Sequence, residues 1–170
     1  MVKFEIEVTV ERPVEDVFKY VTDVSKLPDW QSTLSEIRRE SNGPLAVGAT
    51  LVETRKFLAR RWESILKVVA CEPNRTFVLE SVSGPMPYAM AYRFEGVDGG
   101  TKITLLGTGD PGPFFRLAEP LVGRAAEREF RGDLETLKDV LESHDYLQRS
   151  DTRNGTAAGK EVPDGRLAYV

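Results

Sequence analysis

The chain has 170 residues, of which 41% are apolar and 29% charged, as in an ordinary globular protein. Its 23 lysine and arginine residues and 27 aspartate and glutamate residues give a formal net charge of −4. This balance argues against nucleic-acid binding, which needs an excess of basic side chains on one face. No apolar run reaches the roughly 18 residues of a membrane span, so no stable membrane insertion is expected.

The first predicted element is a strand over Val2–Glu11, in which even positions are apolar and odd positions are Lys, Glu or Thr. One face of this strand is therefore expected to be buried. The same residues lack a secretory h-region, which predicts a cytoplasmic location. Pro13 then opens a short helix that ends near Thr22. The segment Asp23–Trp30 predicts a turn and a second short helix broken by Pro28.

Six further segments are predicted to be strands, and tight turns rich in Gly, Pro, Asn and Asp separate most of them. Consecutive strands joined this tightly are expected to pair in antiparallel fashion. The predicted strands are Thr33–Glu40, Thr50–Leu58, Trp62–Cys71, Thr76–Ser83, Tyr88–Glu95 and Lys102–Thr108.

A long helical pattern runs from Pro113 to about Leu147, with apolar residues at three- and four-residue steps. A helix this long must lie across nearly the whole sheet. A curved antiparallel sheet wrapped around one long helix commonly leaves an apolar cavity between them. We therefore predict an α+β domain over residues 1–148, with about seven strands. Residues 149–170 are small, polar and aperiodic, and predict a flexible tail.

Several stretches resemble the START-like or SRPBCC superfamily with its helix-grip fold, and most closely its polyketide cyclase/dehydrase branch. The resemblance covers about residues 2–145. It implies a small hydrophobic ligand, but members include carriers, aromatase/cyclases and proteins without assigned chemistry, so it does not choose among these functions. The stretches that carry it are Val8–Asp23, Leu27–Trp30, Gly48, Glu72-Pro73 and Gly100–Thr104.

Side-chain parity along the strands predicts which residues face the cavity. The helix adds its apolar stripe, with Phe114 and Phe115 at its head as a lid over the opening. Together these residues form the predicted ligand-binding wall: Trp62, Leu66, Phe77, Leu79, Ser81, Tyr88, Met90, Tyr92, Phe114, Leu117 and Leu121.

The third strand breaks this apolar pattern, because the same parity turns Glu53, Arg55 and Phe57 inward. Burying an unpaired charge costs several kcal/mol, so such a pair persists only when it is mutually satisfied or wetted by a cavity. One interpretation makes Glu53 and Arg55 polar anchors for a ligand's carbonyl or hydroxyl group. The alternative is a bulge that shifts the parity, or a pair at an exposed strand end.

Two tyrosines on the predicted wall, Tyr88 and Tyr92, also allow two interpretations. Their hydroxyl groups could orient a phenol or ketone or act as weak general acids, or the rings could simply pack in the core. With Arg55, they are the candidate catalytic residues of an aromatase/cyclase-type enzyme, in which the arginine polarises a ketone towards an enolate.

The sequence contains one cysteine, Cys71, and one histidine, His144, near the end of the long helix. An intramolecular disulfide and a cysteine-rich metal site are therefore excluded, and a His-dependent triad is disfavoured. No metal-ligand cluster or phosphate loop is visible, so no metal and no cofactor is expected. The favoured function is binding of a small hydrophobic molecule. An aromatase/cyclase-type enzyme, and a protein-interaction module or homodimer, remain as alternatives.

Overall fold

The computed structural model describes residues 1–40, 42–43, 45–57, 60–112 and 119–143, except for the side chains of Phe57 and Arg60. Within this part, a seven-stranded antiparallel sheet is followed by a long helix, which confirms the predicted α+β fold class. The elements are β1 (Val2–Val10), α1 (Val14–Thr22), a 3₁₀ helix (Val24–Asp29), β2 (Leu34–Arg39), β3 (Thr50–Phe57), β4 (Arg60–Glu72), β5 (Thr76–Ser83), β6 (Tyr88–Val97), β7 (Gly100–Gly109) and α2 (Glu119–Glu142).

The strands lie in the order β1-β7-β6-β5-β4-β3-β2, so β1 and β2 form the two edges of the sheet. The chain crosses from one edge to the other through α1 and the 3₁₀ helix. The ring of Phe18 in α1 packs edge-to-face against Phe94 of β6 at 5.3 Å, and the 3₁₀ helix contacts β2. The two short helices therefore pack against the sheet between its two edges.

Each strand begins and ends within two residues of its predicted bounds, and β5 has the predicted bounds. The prediction that Pro28 breaks the second helix is wrong. Pro28 lies inside the 3₁₀ helix, and the N–H groups of Trp30 and Gln31 both bond the Leu27 carbonyl, so the turn continues past the proline. A short 3₁₀ segment tolerates proline with the loss of one backbone donor.

The stripe that α2 buries consists of Asp133, Leu134, Leu137 and Leu141. The prediction that Leu121 belongs to this stripe is wrong, since it is 68% exposed. Leu121 precedes Leu137 by sixteen positions, which at 3.6 residues per turn places it roughly 160° around the helix. The remaining residues predicted for this helix and the tail, which lie at 113–118 and 144–170 and include Phe114, Phe115, Leu117 and His144, fall outside the described residues.

Polar contacts hold the carboxyl end of α2 against the end of β1. Glu142 accepts hydrogen bonds from the backbone N–H of Glu11 at 2.7 Å and from Lys138 Nζ at 2.6 Å. The Lys138 ammonium also donates to the Thr9 carbonyl at 2.7 Å. At the opposite end of β1, the rings of Phe4 and Phe130 stack at 5.2 Å. These contacts fix α2 along the edge strand of the sheet.

Acid should weaken this attachment. Partial burial by itself would raise the pKa of Glu142, but the bonds from Glu11 and Lys138 hold it below its ordinary value of 4.5. Because the folded-state pKa is the lower one, the ionised carboxylate stabilises the fold above pH 4.5, and this contribution is lost as the pH falls through the folded-state value. We expect Glu142→Gln to be less stable than wild type at neutral pH, with the difference shrinking below pH 4.5, as measured by urea unfolding. A pH-independent difference would contradict this.

Candidate functional site

The concave face of the sheet carries the apolar side chains that parity predicts. Alternate residues of β4, β5 and β6 are buried, and their predicted contact with a ligand stays a prediction. Ser81 and Tyr88 are half-buried. Trp62 pairs with Arg55 in the register and is 38% exposed, because it stands two residues from the start of β4, at the rim of the face. The buried members of the predicted wall are Leu66, Phe77, Leu79, Met90 and Tyr92.

Glu53 and Arg55 lie side by side on the same concave face. The β3–β4 register runs without a shift from Thr50↔Lys67 to Phe57↔Arg60, so the alternative of a parity-shifting bulge is wrong. The exposed-end alternative is wrong as well, since Glu53 is 1% exposed. The side chain of Arg55 is 22% exposed. The structure thus brings an ion pair into an otherwise apolar wall.

Each nitrogen of the Arg55 guanidinium has a partner. The Nε atom donates to both carboxylate oxygens of Glu53 at 3.0 Å, Nη1 donates to Thr33 Oγ1 at 3.0 Å and Nη2 donates to Gln31 Oε1 at 2.6 Å. Tyr88 donates its hydroxyl proton to Glu53 Oε1. The guanidinium is therefore held from three sides, and its orientation is fixed before any ligand arrives.

The electrostatics of this cluster keep its members in one protonation state. Burial would lower the pKa of Arg55, but the charge of Glu53 and its hydrogen bond, together with Tyr88 and Tyr92, raise this pKa above its ordinary value. Burial, and then Glu53, raise the pKa of Tyr88 above its ordinary value of 10.0. Burial raises the pKa of Tyr92 as well, with Asp133 and Glu53 adding to it against Arg55. Both tyrosines are therefore protonated at neutral pH, so Tyr88 donates to Glu53 and the Tyr92 hydroxyl has a proton to donate.

The Tyr88–Glu53 bond should contribute measurably to stability. Hydrogen bonds to a charged group contribute about 1.5–3 kcal/mol, and removing this one also leaves a buried carboxylate oxygen with one donor fewer. We expect Tyr88→Phe to lower the free energy of unfolding by about 1.5 kcal/mol in urea titrations. Tyr92→Phe is the control: its hydroxyl has no hydrogen-bond partner among the described residues, so its removal should be nearly neutral. Equal losses in the two variants would contradict this assignment.

Five residues of this region were missed as site residues by the sequence reasoning. Gln31 and Thr33 hold Arg55, while Glu129 accepts from Thr33 Oγ1 at 2.9 Å. Asp133 accepts from the backbone N–H of Ser32 at 2.9 Å and is 2% exposed, and Trp30 is equally buried. A sequence signal existed only for Asp133, which lies on the helical stripe of Leu137 and Leu141. Polar residues in a connection such as 31–33 give no comparable signal.

Two open depressions flank α2, with volumes of about 660 and 430 Å³. The larger is lined by Ser32 and by α2 residues that include Glu129 and Asp133, and the smaller by the start of β1 and the first turns of α2. Neither contains a residue of the predicted ligand-binding wall. The predicted cavity against the sheet therefore stays a prediction.

The family model described as polyketide cyclase / dehydrase and lipid transport matches residues 1–142. The chain belongs to this family. None of the curated proteins matches its sequence significantly. The resemblance seen in the sequence is thereby confirmed, and its stretches fall within the matched residues.

Solved structures of similar fold share little sequence with this family member. A protein of Thermus thermophilus, TTHA0849, is 15% identical with a TM-score of 0.72, and the match covers 82% of this chain and 96% of that protein. A START superfamily protein from Mycobacterium smegmatis is 14% identical with a TM-score of 0.71, over 84% and 98% of the two chains. The di-domain ARO/CYC StfQ from the steffimycin biosynthetic pathway is 16% identical with a TM-score of 0.70, over 88% of this chain and 52% of StfQ. These matches confirm the START-like helix-grip fold.

Neither of the α-helices that the structure describes is long and apolar enough to cross a membrane. The cytoplasmic location, the expectation of no cofactor, the domain bounds and the homodimer or protein partner considered from the sequence stay predictions.

Proposed function

We propose that the protein binds a small hydrophobic molecule, of lipid, polyketide-like or aromatic character, between the concave face of the sheet and α2. The family assignment supports such a ligand, and the buried apolar residues of β4–β6 supply a matching wall. Ligand sites of this kind are mostly apolar, with a few polar groups that orient the ligand. The Glu53–Arg55 pair is the polar group of this wall.

The observation that carries the proposal is the unused donor capacity of a fixed, partly accessible arginine. A guanidinium has five N–H groups. Glu53, Thr33 and Gln31 engage three of these N–H groups, and the Tyr88 hydroxyl also lies within hydrogen-bond reach of the guanidinium, so at least one N–H group has no partner in the described part of the chain. The hydroxyl of Tyr92, which interacts electrostatically with Arg55, is a further donor. Since Glu53 neutralises the arginine, these donors suit a neutral carbonyl oxygen better than an anion.

The first experiment is native mass spectrometry of freshly purified protein, followed by denaturing extraction. A small molecule bound in stoichiometric amount would support the proposal and reveal the chemical class of the ligand. A protein that elutes empty is then titrated with two probes of matched shape, 2-acetonaphthone and 2-ethylnaphthalene. We expect the ketone to bind about tenfold more tightly, which corresponds to one hydrogen bond. Failure of both probes to bind, with no extracted molecule, would overturn the proposal.

The variant Tyr92→Phe makes the titration specific to the site. It removes one donor without breaking a described hydrogen bond, so the fold should persist. We expect the preference for the ketone over the hydrocarbon to fall several-fold, while affinity for the hydrocarbon stays as in wild type. An unchanged preference would place the carbonyl elsewhere.

A second candidate function is an aromatase/cyclase-type enzyme, favoured by the protonated state of the two tyrosines. Donors aimed at a ketone oxygen also stabilise the enolate that forms when a neighbouring carbon loses a proton. Similarity of fold to the ARO/CYC protein StfQ supports this candidate. The test is conversion of a linear poly-β-ketone probe to an aromatic product, followed by absorbance. Product formation that is lost in Glu53→Leu/Arg55→Met supports catalysis, whereas binding without product leaves the carrier function.

A further inference from the structure

Two polar side-chain atoms near the middle of α2 are buried and have no hydrogen-bond partner in the part of the chain that the structure describes. One is a donor, Nε1 of Trp30, and the other is an acceptor, Oδ2 of Asp133. Both residues are 2% exposed. Leaving a buried polar group unpaired costs about 1–3 kcal/mol, and native folds pair the great majority of such atoms. An orphaned donor and an orphaned acceptor in one protein therefore call for a common explanation.

The two residues belong to one small region of the interior. The other carboxylate oxygen of Asp133, Oδ1, accepts a hydrogen bond of 2.9 Å from the backbone N–H of Ser32, which lies two residues after Trp30. The Trp30 ring packs edge-to-face against Tyr92 at 6.3 Å. Tyr92 in turn lies within the electrostatic reach of Asp133. Trp30, Asp133 and Tyr92 thus belong to one region between β6, α2 and the residues after the 3₁₀ helix.

The two unpaired atoms define which kind of chemical group could satisfy both. Since they do not bond each other, a group between them must accept a hydrogen bond from Trp30 and donate one to Asp133. A hydroxyl group does both through one oxygen, whereas a carbonyl or ether only accepts and an ammonium only donates. Asp133 also lines the open depression of about 660 Å³, whose other lining residues include neither Trp30 nor a member of the predicted wall.

We propose that Trp30 and Asp133 recognise a free hydroxyl group, so that the ligand is a hydrophobe carrying an alcohol or phenol. This inference rests on the proposed function, because it specifies the ligand of the same interior site. The Tyr92 ring packs against Trp30, and its hydroxyl group interacts electrostatically with both Arg55 and Asp133. It therefore lies between the hydroxyl position and the donors assigned to a carbonyl.

The test uses 2-naphthol and its methyl ether, 2-methoxynaphthalene, in which a methyl group replaces the hydroxyl hydrogen, in calorimetric titrations of the full chain. Wild type should bind 2-naphthol about tenfold more tightly, since only the phenol donates to Asp133. In Asp133→Asn the amide oxygen keeps the Ser32 bond, so the amide N–H group takes the place of Oδ2 and donates to either probe. We expect the preference to fall to about twofold or less. Asp139→Asn, an exposed position on α2, is the matched control and should keep the tenfold preference.

Trp30→Phe separates the donor from the acceptor and covers the case in which Asp133→Asn does not fold. Both probes accept the indole hydrogen bond, so both should lose affinity by a similar factor while the preference for the phenol stays. Equal binding of the two probes by wild type, or a full preference in Asp133→Asn, overturns the inference and leaves the proposed function standing. A complex in which water alone bridges Trp30 and Asp133 overturns it too. If neither of these two probes nor 2-acetonaphthone binds, the result counts against both this inference and the proposed function.

Discussion

Replacing Glu53 with alanine should destabilise the protein by about 3–5 kcal/mol, because it leaves the guanidinium of Arg55 in the interior without its counter-charge. The same change removes the acceptor of the Tyr88 hydroxyl. Globular proteins have a total stability of about 5–15 kcal/mol, so this is a large fraction of it. The measurement is the urea concentration at the midpoint of unfolding, compared between variant and wild type, provided that the dependence of the unfolding free energy on urea concentration is the same in both.

A surface ion pair provides the control for Glu53→Ala. Glu127 and Arg131 pair at 3.0 Å on α2, with side chains that are 44% and 47% exposed. Because solvent screens this pair, Glu127→Ala should change stability by less than about 0.5 kcal/mol. A loss at Glu53 as small as the loss at Glu127 would contradict the buried assignment.

The double variant Glu53→Leu/Arg55→Met separates stability from function. Replacing both members of a buried ion pair by apolar residues of similar volume is often neutral or stabilising. We expect the double variant to recover about half or more of the stability that Glu53→Ala loses, and to prefer 2-acetonaphthone over 2-ethylnaphthalene less than wild type does, because only the Tyr92 donor remains. Recovery of stability with an unchanged preference for the ketone would show that the pair is structural.

Replacing Gly107 with alanine should cost about 3 kcal/mol, at the upper end of the range for overpacked cores. A Cβ atom at this position would lie 2.1 Å from the Phe4 ring across the β1–β7 pair. That ring cannot turn away freely, since its other side stacks on Phe130 of α2. Relieving the clash therefore requires a shift of the Phe4–Phe130 stack, which would disturb the contact between β1 and α2. Thermal unfolding of the variant measures the loss.

Gly132→Ala is the matched control, because it adds the same methyl group within α2. A Cβ atom there meets nothing within 4 Å beyond the helix itself, and alanine reduces the entropy of the unfolded chain. We expect this variant to be about 0.4–1 kcal/mol more stable than wild type. A loss of stability in Gly107→Ala together with a gain in Gly132→Ala would confirm that the close approach of Phe4 is what excludes a side chain at position 107. A loss at Gly132 equal to that at Gly107 would contradict it.

Much of the fold could be predicted from the sequence because strand parity and helix periodicity are local properties. The alternation in Val2–Val10 reports one buried face whatever packs against it, and the turn residues after β4 and β6 place the strand ends within two residues. Parity also predicted that Glu53 and Arg55 face inward. It could not decide between a satisfied buried pair and a shifted register, since that depends on the partner strand.

The tertiary structure alone decided which polar atoms are satisfied and which are not. The partners of Arg55 lie 22 and 24 positions away in a connection with no periodic pattern, and Asp133 meets Ser32 across 101 positions. The exposure of Trp62 at the rim of the sheet, and of Leu121 on the side of α2 away from its buried stripe, was likewise decided by how these elements pack. By itself, the sequence determined the faces of the elements, because a side chain's direction follows from its own backbone. What each face meets depends on contacts between distant residues, and only the folded chain contains them.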